Sequence, residues 1–151
     1  MKAFGLDDEK NVSEEELQAN GVSYEKFDVT DFQADLDRIK QAHGYVAQDV
    51  VEITPQTPNL GTLLAKFDKE HLHTDDEVRF VLAGSGIFDI RSTDDRWMRV
   101  EVYSGDFISV PKERYHRFFC KEDHFIRCVR LFKDNSGWTP LYRAEREAIT
   151  A

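Results

Sequence analysis

The sequence predicts a fold dominated by antiparallel β-structure, with helix confined to its amino-terminal part. Three observations carry that reading. The hydrophobic period changes from helical to strand-like near Leu60, short β-rich runs then recur at close intervals, and each gap between them carries a turn signal. The chain has 151 residues, is 40% hydrophobic, and is long enough to bury one substantial core without disulfides or metal staples.

The first 59 residues read as a helical lead-in. Ser13-Glu14-Glu15-Glu16 forms a capping-box pattern, with Val12 and Leu17 at the staple positions and Asn20-Gly21 as the stop. A second short helix is expected from Thr30 to His43-Gly44. Phe32, Leu36 and Ile39 share one stripe of it, acidic Asp31 and Asp35 lie early, and Lys40 and His43 lie late, as the helix dipole favours. Residues 49–53 fit a short helix and a strand equally well. Pro55-Gln56-Thr57-Pro58-Asn59 then interrupts any regular element.

The body, residues 60–138, offers seven strand candidates: 63–67, 77–82, 87–91, 97–102, 107–110, 116–120 and 125–132. The breaks carry Gly84-Ser85-Gly86, Ser104-Gly105-Asp106, Lys121-Glu122-Asp123 and similar turn residues, which suggests an antiparallel sandwich or small barrel. Residues 139–151 form a tail, and the whole chain, 1–151, is expected to be a single domain. Cys120 and Cys128 flank an expected hairpin whose register puts Cys120 opposite Phe125 and Cys128 opposite Arg117, so both should stay reduced.

Charge narrows the partners. Twenty basic against 29 acidic residues give a net charge of −9, which argues against nucleic acid or an anionic membrane surface. The longest apolar run is Phe80-Val81-Leu82-Ala83, far short of a membrane span. The amino terminus shows neither signal-peptide nor transit-peptide character. A cytoplasmic, monomeric protein acting on a small molecule is expected, with a nuclear pool left open if the source is eukaryotic.

The chemistry concentrates in the body. His71 and His73 are two apart, so on a strand both imidazoles face one side, and Glu77 and Arg79 share a face with Val81 while Val78, Phe80 and Leu82 point away. His116 follows the Gly105-to-Pro111 turn some forty residues later. Three neutral imidazoles and one carboxylate suit a divalent first-row metal. A structural zinc site would be closed by four ligands, usually including cysteine, whereas a six-coordinate ion here keeps two positions open. Asp75 and Asp76 read as turn residues beside the ligands, His124 as solvated, and Trp97 and Trp138 as packing.

Glu70-His71-Leu72-His73-Thr74-Asp75-Asp76-Glu77-Val78-Arg79, with Gly84 beyond it and Gly105 to His116 later, resembles the paired motifs of the cupin superfamily. The run is similar in particular to the acireductone dioxygenase family, a likeness that continues through Gly84-Ser85-Gly86-Ile87-Phe88-Asp89-Ile90-Arg91, Tyr115-His116-Arg117-Phe118 and Arg130-Leu131-Phe132. The resemblance implies a cupin-type antiparallel barrel or jelly roll, with His71, His73, Glu77 and His116 holding one Fe²⁺ or Ni²⁺ per chain. It also implies Arg79 and Arg130 as catalytic residues in a substrate pocket walled by Phe67 and Phe118. The implied activity is oxidative cleavage of the acireductone 1,2-dihydroxy-3-keto-5-methylthiopentene by O₂ in methionine salvage. The iron form would give 2-keto-4-methylthiobutyrate and formate, and the nickel form methylthiopropionate, formate and carbon monoxide. Glu113 stands where the family usually has glycine, which implies an altered loop before His116, and Cys120 stands where asparagine is common. Another metal-dependent cupin reaction, or a non-catalytic cupin binding a small molecule or protein, remains open from the residues alone.

Overall fold

The computed structural model describes residues 1–134 and 138–150, so the expected end of the body falls partly on 135–137, outside the described residues. The order is β1 (Lys2–Gly5), α1 (Glu14–Ala19), β2 (Ser23–Lys26), α2 (Gln33–His43), β3 (Ala47–Ile53), α3 (Leu60–Phe67), β4 (His71–Leu72), β5 (Glu77–Arg91), β6 (Trp97–Tyr103), β7 (Asp106–Val110), β8 (His116–Cys120), β9 (Ile126–Phe132), β10 (Leu141–Tyr142) and α4 (Arg143–Thr150). All strand pairings among these elements are antiparallel. Among the described residues no helix is long and apolar enough to cross a membrane.

The long strand β5 organises everything else. Its first half pairs with β7 and β9, giving the order β3-β9-β5-β7-β2, and its second half pairs with β6 and β8, giving β1-β6-β5-β8-β4-β10. The break expected at Gly84-Ser85-Gly86 is therefore no break. The strand runs through it, with a register shift between Val81 and Ala83. Gly84 sits at φ 81°, and a Cβ there would lie 2.2 Å from the Phe125 carbonyl oxygen, so the close approach and the backbone angle both demand glycine.

Strand parity then sorts the side chains. Val81, Phe88, Ile90, Val100, Val102, Ile108, Val110, Ile126 and Cys128 form one buried cluster between the sheets. Val78, Phe80, Val129 and Leu131 face the other way, onto Leu36 and Ile39 of α2. Burying each such aliphatic side chain contributes roughly 1.5–3 kcal/mol, which fixes the register because a one-residue slip would exchange the two faces.

Several sequence expectations need correction. The lead-in is not purely helical: β1, β2 and β3 pair with β6, β7 and β9, so strands of the first 59 residues complete both sheets. The undecided segment 49–53 is strand. The second helix starts at Gln33 rather than Thr30, because Asp28 holds Thr30 in a turn by accepting from its N–H and hydroxyl at 2.9 and 2.7 Å. The expected strand 63–67 is helix: Leu60, Leu63, Leu64 and Phe67 fall at i, i+3, i+4 and i+7, a longer pattern than the short alternation within it. Strands β8 and β9 do not form a hairpin, since they lie in different sheets; Cys120 is opposite Gly86, and Cys128 is opposite Val81 and Val51. Both thiols are free. At α1 the Ser13 hydroxyl accepts from Glu16 N–H at 3.1 Å, the expected cap.

Candidate metal centre and cavity

The short strand β4 pairs with β8 so that His71 and His116 lie directly opposite each other, with ring centres 4.6 Å apart. His73, just beyond β4 rather than on it, turns its ring to within 5.0 Å of His71 and 5.4 Å of His116. One nitrogen from each of the three imidazoles lies within 4.8 Å of the others. Glu77 opens β5 beside them, its Oε2 at 3.2 Å from His116 Nε2 and its Oε1 at 3.7 Å from His73 Nε2. Two ligands placed cis on an ion at about 2.1 Å would stand about 3 Å apart, so this spacing fits shared coordination.

Backbone carbonyls select the tautomers. His71 Nδ1 is 2.6 Å from Lys69 O and His116 Nδ1 is 2.9 Å from Arg114 O. A carbonyl only accepts, so each Nδ1 carries the hydrogen and each Nε2 presents a lone pair. His116 Nε2 and His73 Nδ1 are buried without a hydrogen-bond partner. An orphaned buried acceptor is costly and rare, and a cation between these rings removes that cost. The donor set therefore fits a divalent transition metal.

Electrostatics point the same way. Burial, reinforced by the neighbouring His116, pushes His71 down to about 4, and burial lowers His73 against the opposing pull of Glu77. These two rings are neutral ligands at neutral pH. Burial would raise Glu77, yet Arg79 and His116 outweigh it and hold the carboxyl well below the usual carboxylate range. Glu77 is thus an anion that leaves about +1 on a divalent ion.

Glu77 also borders a cavity of about 320 Å³, walled by Val51, Ile53, Leu63, Phe67, Phe88, Phe118, Ile126 and Cys128, with Arg79 and Arg130 at its polar side. Phe67 and Phe118 meet edge-to-face at 6.4 Å. Gly86 makes room for Phe118, whose ring would otherwise lie 2.6 Å from a Cβ. Arg79 and Arg130 are direct cross-strand neighbours on β5 and β9. Arg79 donates to Glu77 Oε1 at 3.2 Å and Val78 O at 2.9 Å. Arg130 makes a two-pronged bond to Asp49 and stacks on Trp138 at 4.0 Å.

The structure thus brings together all four expected ligand residues and places both arginines and both phenylalanines on the adjoining cavity. Asp49 went unnoticed in the sequence because its segment could be helix or strand. On a strand, Asp49, Val51 and Ile53 alternate onto one face, the signal that would have found it. Asp76 proves more than a turn residue, as its carboxylate accepts from Tyr45 hydroxyl at 2.6 Å and from Lys112 N–H at 2.9 Å. In the loop before His116, Glu113 itself adopts the left-handed conformation, φ 61°, and donates its N–H to His73 O at 2.8 Å.

Fold and site together define a sheet-built protein with a three-imidazole, one-carboxylate cluster whose carboxylate borders a largely apolar cavity. The chain belongs to the ARD/ARD' family, whose model matches residues 5–140. It is 40% identical to acireductone dioxygenase of Heterostelium pallidum over 97% of this chain and all of that protein. It is 40% identical to that of Xenopus tropicalis over 94% of this chain and 81% of that protein. Among solved structures it resembles acireductone dioxygenase from Bacillus anthracis with a cadmium ion in its active centre, at TM-score 0.88 and 32% identity, covering 93% of this chain and 97% of that one. The chain is accordingly an enzyme of this family.

Proposed function

We propose that this protein is a metal-dependent dioxygenase that cleaves the acireductone 1,2-dihydroxy-3-keto-5-methylthiopentene with O₂, as a step of methionine salvage on a cupin-type barrel. The observation that carries the reading is the convergence of three imidazoles on the Glu77 carboxylate, with His116 Nε2 left without a hydrogen-bond partner 3.2 Å from Glu77 Oε2. His71, His73, Glu77 and His116 would hold one Fe²⁺ or Ni²⁺, which when bound supplies Lewis acidity and a template for chelating oxygens.

The chain's own residues do the rest. An acireductone carries enediol oxygens that ionise, and a protein of net charge −9 repels such an anion. Arg79 and Arg130, side by side on the cavity wall, reverse that field locally and offer planar donors to the substrate's oxygens. Asp49 holds the Arg130 guanidinium from one side and Trp138 from another, which fixes its direction before substrate arrives. Phe67, Phe118 and Phe88 flank the apolar part of the cavity, which suits the methylthio chain and excludes water from the reacting carbons.

The test is anaerobic reconstitution with Fe²⁺ or with Ni²⁺, followed by admission of O₂ while acireductone absorbance is recorded. Consumption is expected with both, with keto acid and formate from iron and added carbon monoxide from nickel. No consumption with either metal rejects the assignment.

A further inference from the structure

The loop that delivers His116 is held at successive residues. Lys112 N–H donates to Asp76 Oδ1 at 2.9 Å, Glu113 N–H donates to His73 O at 2.8 Å, and Tyr115 O accepts from Arg91 N–H at 2.9 Å. Arg114 serves this loop through its backbone and ties it to distant elements through its side chain. Its carbonyl accepts the His116 Nδ1 hydrogen at 2.9 Å. Its half-buried guanidinium reaches away and donates to Asn20 O at 2.6 Å and to Arg91 O at 3.2 Å.

Those acceptors are informative. Among the described residues Arg114 forms no ion pair with a carboxylate, so its charge is satisfied by peptide oxygens alone. Asn20 is the C-cap of α1, where helix carbonyls lack intrahelical donors and a cation is favoured. Arg91 ends β5, and Asn20 Oδ1 also accepts from Thr93 N–H at 2.9 Å, so α1, the end of β5 and the His116 loop meet at one junction. The residue before Arg114 is the left-handed Glu113, φ 61°, a conformation that residues with a Cβ disfavour. The Arg114 side chain adds a tether to α1 and β5 beyond the backbone bonds that hold Glu113 and Tyr115.

We propose that Arg114 is a positioning residue for His116. By fastening the turn to α1 and β5 it fixes the carbonyl that holds the Nδ1 hydrogen, and so aims Nε2 at the shared donor cluster. Outer contacts of this kind, which set tautomer and ring direction, typically change metal affinity by about 10–100-fold when removed. The inference rests on the metal-binding reading above, and the experiment separates the two.

Wild type, Arg114→Met and Arg114→Lys, each stripped by chelator, are titrated with Co²⁺ in competition with a chromophoric chelator. The visible Co²⁺ spectrum of each loaded protein and its thermal midpoint are recorded separately. The expected result is a Co²⁺ affinity about 10–100-fold weaker and an altered ligand-field spectrum in Arg114→Met. Arg114→Lys is expected between it and wild type, because both bonds come from the single nitrogen Nη1, whose charge an ammonium keeps but, on a shorter side chain, does not bring to the same point between the two carbonyls. Should Arg114→Met not fold, Arg114→Lys carries the comparison alone. A role confined to fold stability lowers the thermal midpoint and leaves affinity and spectrum at wild-type values, and that outcome overturns the proposal. A wild type that binds no Co²⁺ overturns the metal reading itself.

Discussion

The imidazole cluster beside Glu77 and the helical side of the cavity that Glu77 borders are built in opposite ways. On one side, the 73–77 turn and the loop before His116 are bound to each other and to the sheets by short hydrogen bonds, and His71 and His116 are 1% and 2% exposed. On the other side stands α3, an apolar helix with no fully buried residue, following the left-handed Asn59 without a side-chain cap. On the proposed function, the imidazole side must hold donor atoms closely, while the α3 side has only to cover apolar substrate surface. Fixed backbone holds the geometry on one side, and a helix with no fully buried residue covers the other.

That contrast can be broken by mutation. The largest effect falls on the imidazole side, where His116→Ala is expected to weaken binding of Fe²⁺ or Ni²⁺ by more than about 100-fold, because loss of an outer contact alone costs 10–100-fold. Metal content after dialysis checks it, and retention of one metal per chain would contradict it. Next come packing effects. Ile90→Ala, at a site with no exposed surface, should cost about 2–5 kcal/mol in denaturant unfolding. Leu63→Ala in half-exposed α3 should cost less than about 1 kcal/mol and instead raise KM. Equal losses at the two sites would remove the distinction between the two sides.

Acidity sharpens the same comparison. His71 titrates near 4 in the folded protein, below its unfolded value near 6.5, so the unfolded chain binds the extra proton between those values. Stability of the metal-free protein is therefore fully present above about 6.5 and falls as pH drops towards 4, by about 3 kcal/mol from this residue. Thermal midpoints of chelated protein across that range read it, and His71→Ala should flatten the slope. The smallest effect concerns Glu113. Replacing it with glycine relieves left-handed strain but frees the unfolded chain, for a net stabilisation of up to about 1 kcal/mol.

The site was more legible than the fold around it. His71, His73 and Glu77 sit close in sequence, and their spacing, with His116 after a turn, reflects constraints that one metal ion imposes directly. What escaped notice depended on long-range pairing. Asp49 acquires meaning only when β3 lies beside β9, and α3 was misread because its stripe begins before the fragment that alternates. The supposed hairpin between β8 and β9 failed because both pair with β5, whose bend at Gly84 sends them to different sheets. Glu113 shows a third limit: the turn's contacts over-determine a conformation that the residue itself disfavours.

The most direct check on the centre is a crystal structure of Ni²⁺-loaded protein with anomalous scattering recorded at the nickel edge. One peak within about 2.0–2.2 Å of His71 Nε2, His116 Nε2, a His73 ring nitrogen and a Glu77 oxygen is the expected result. A nickel peak elsewhere, or one that leaves His116 or Glu77 out of its ligands, would contradict the account.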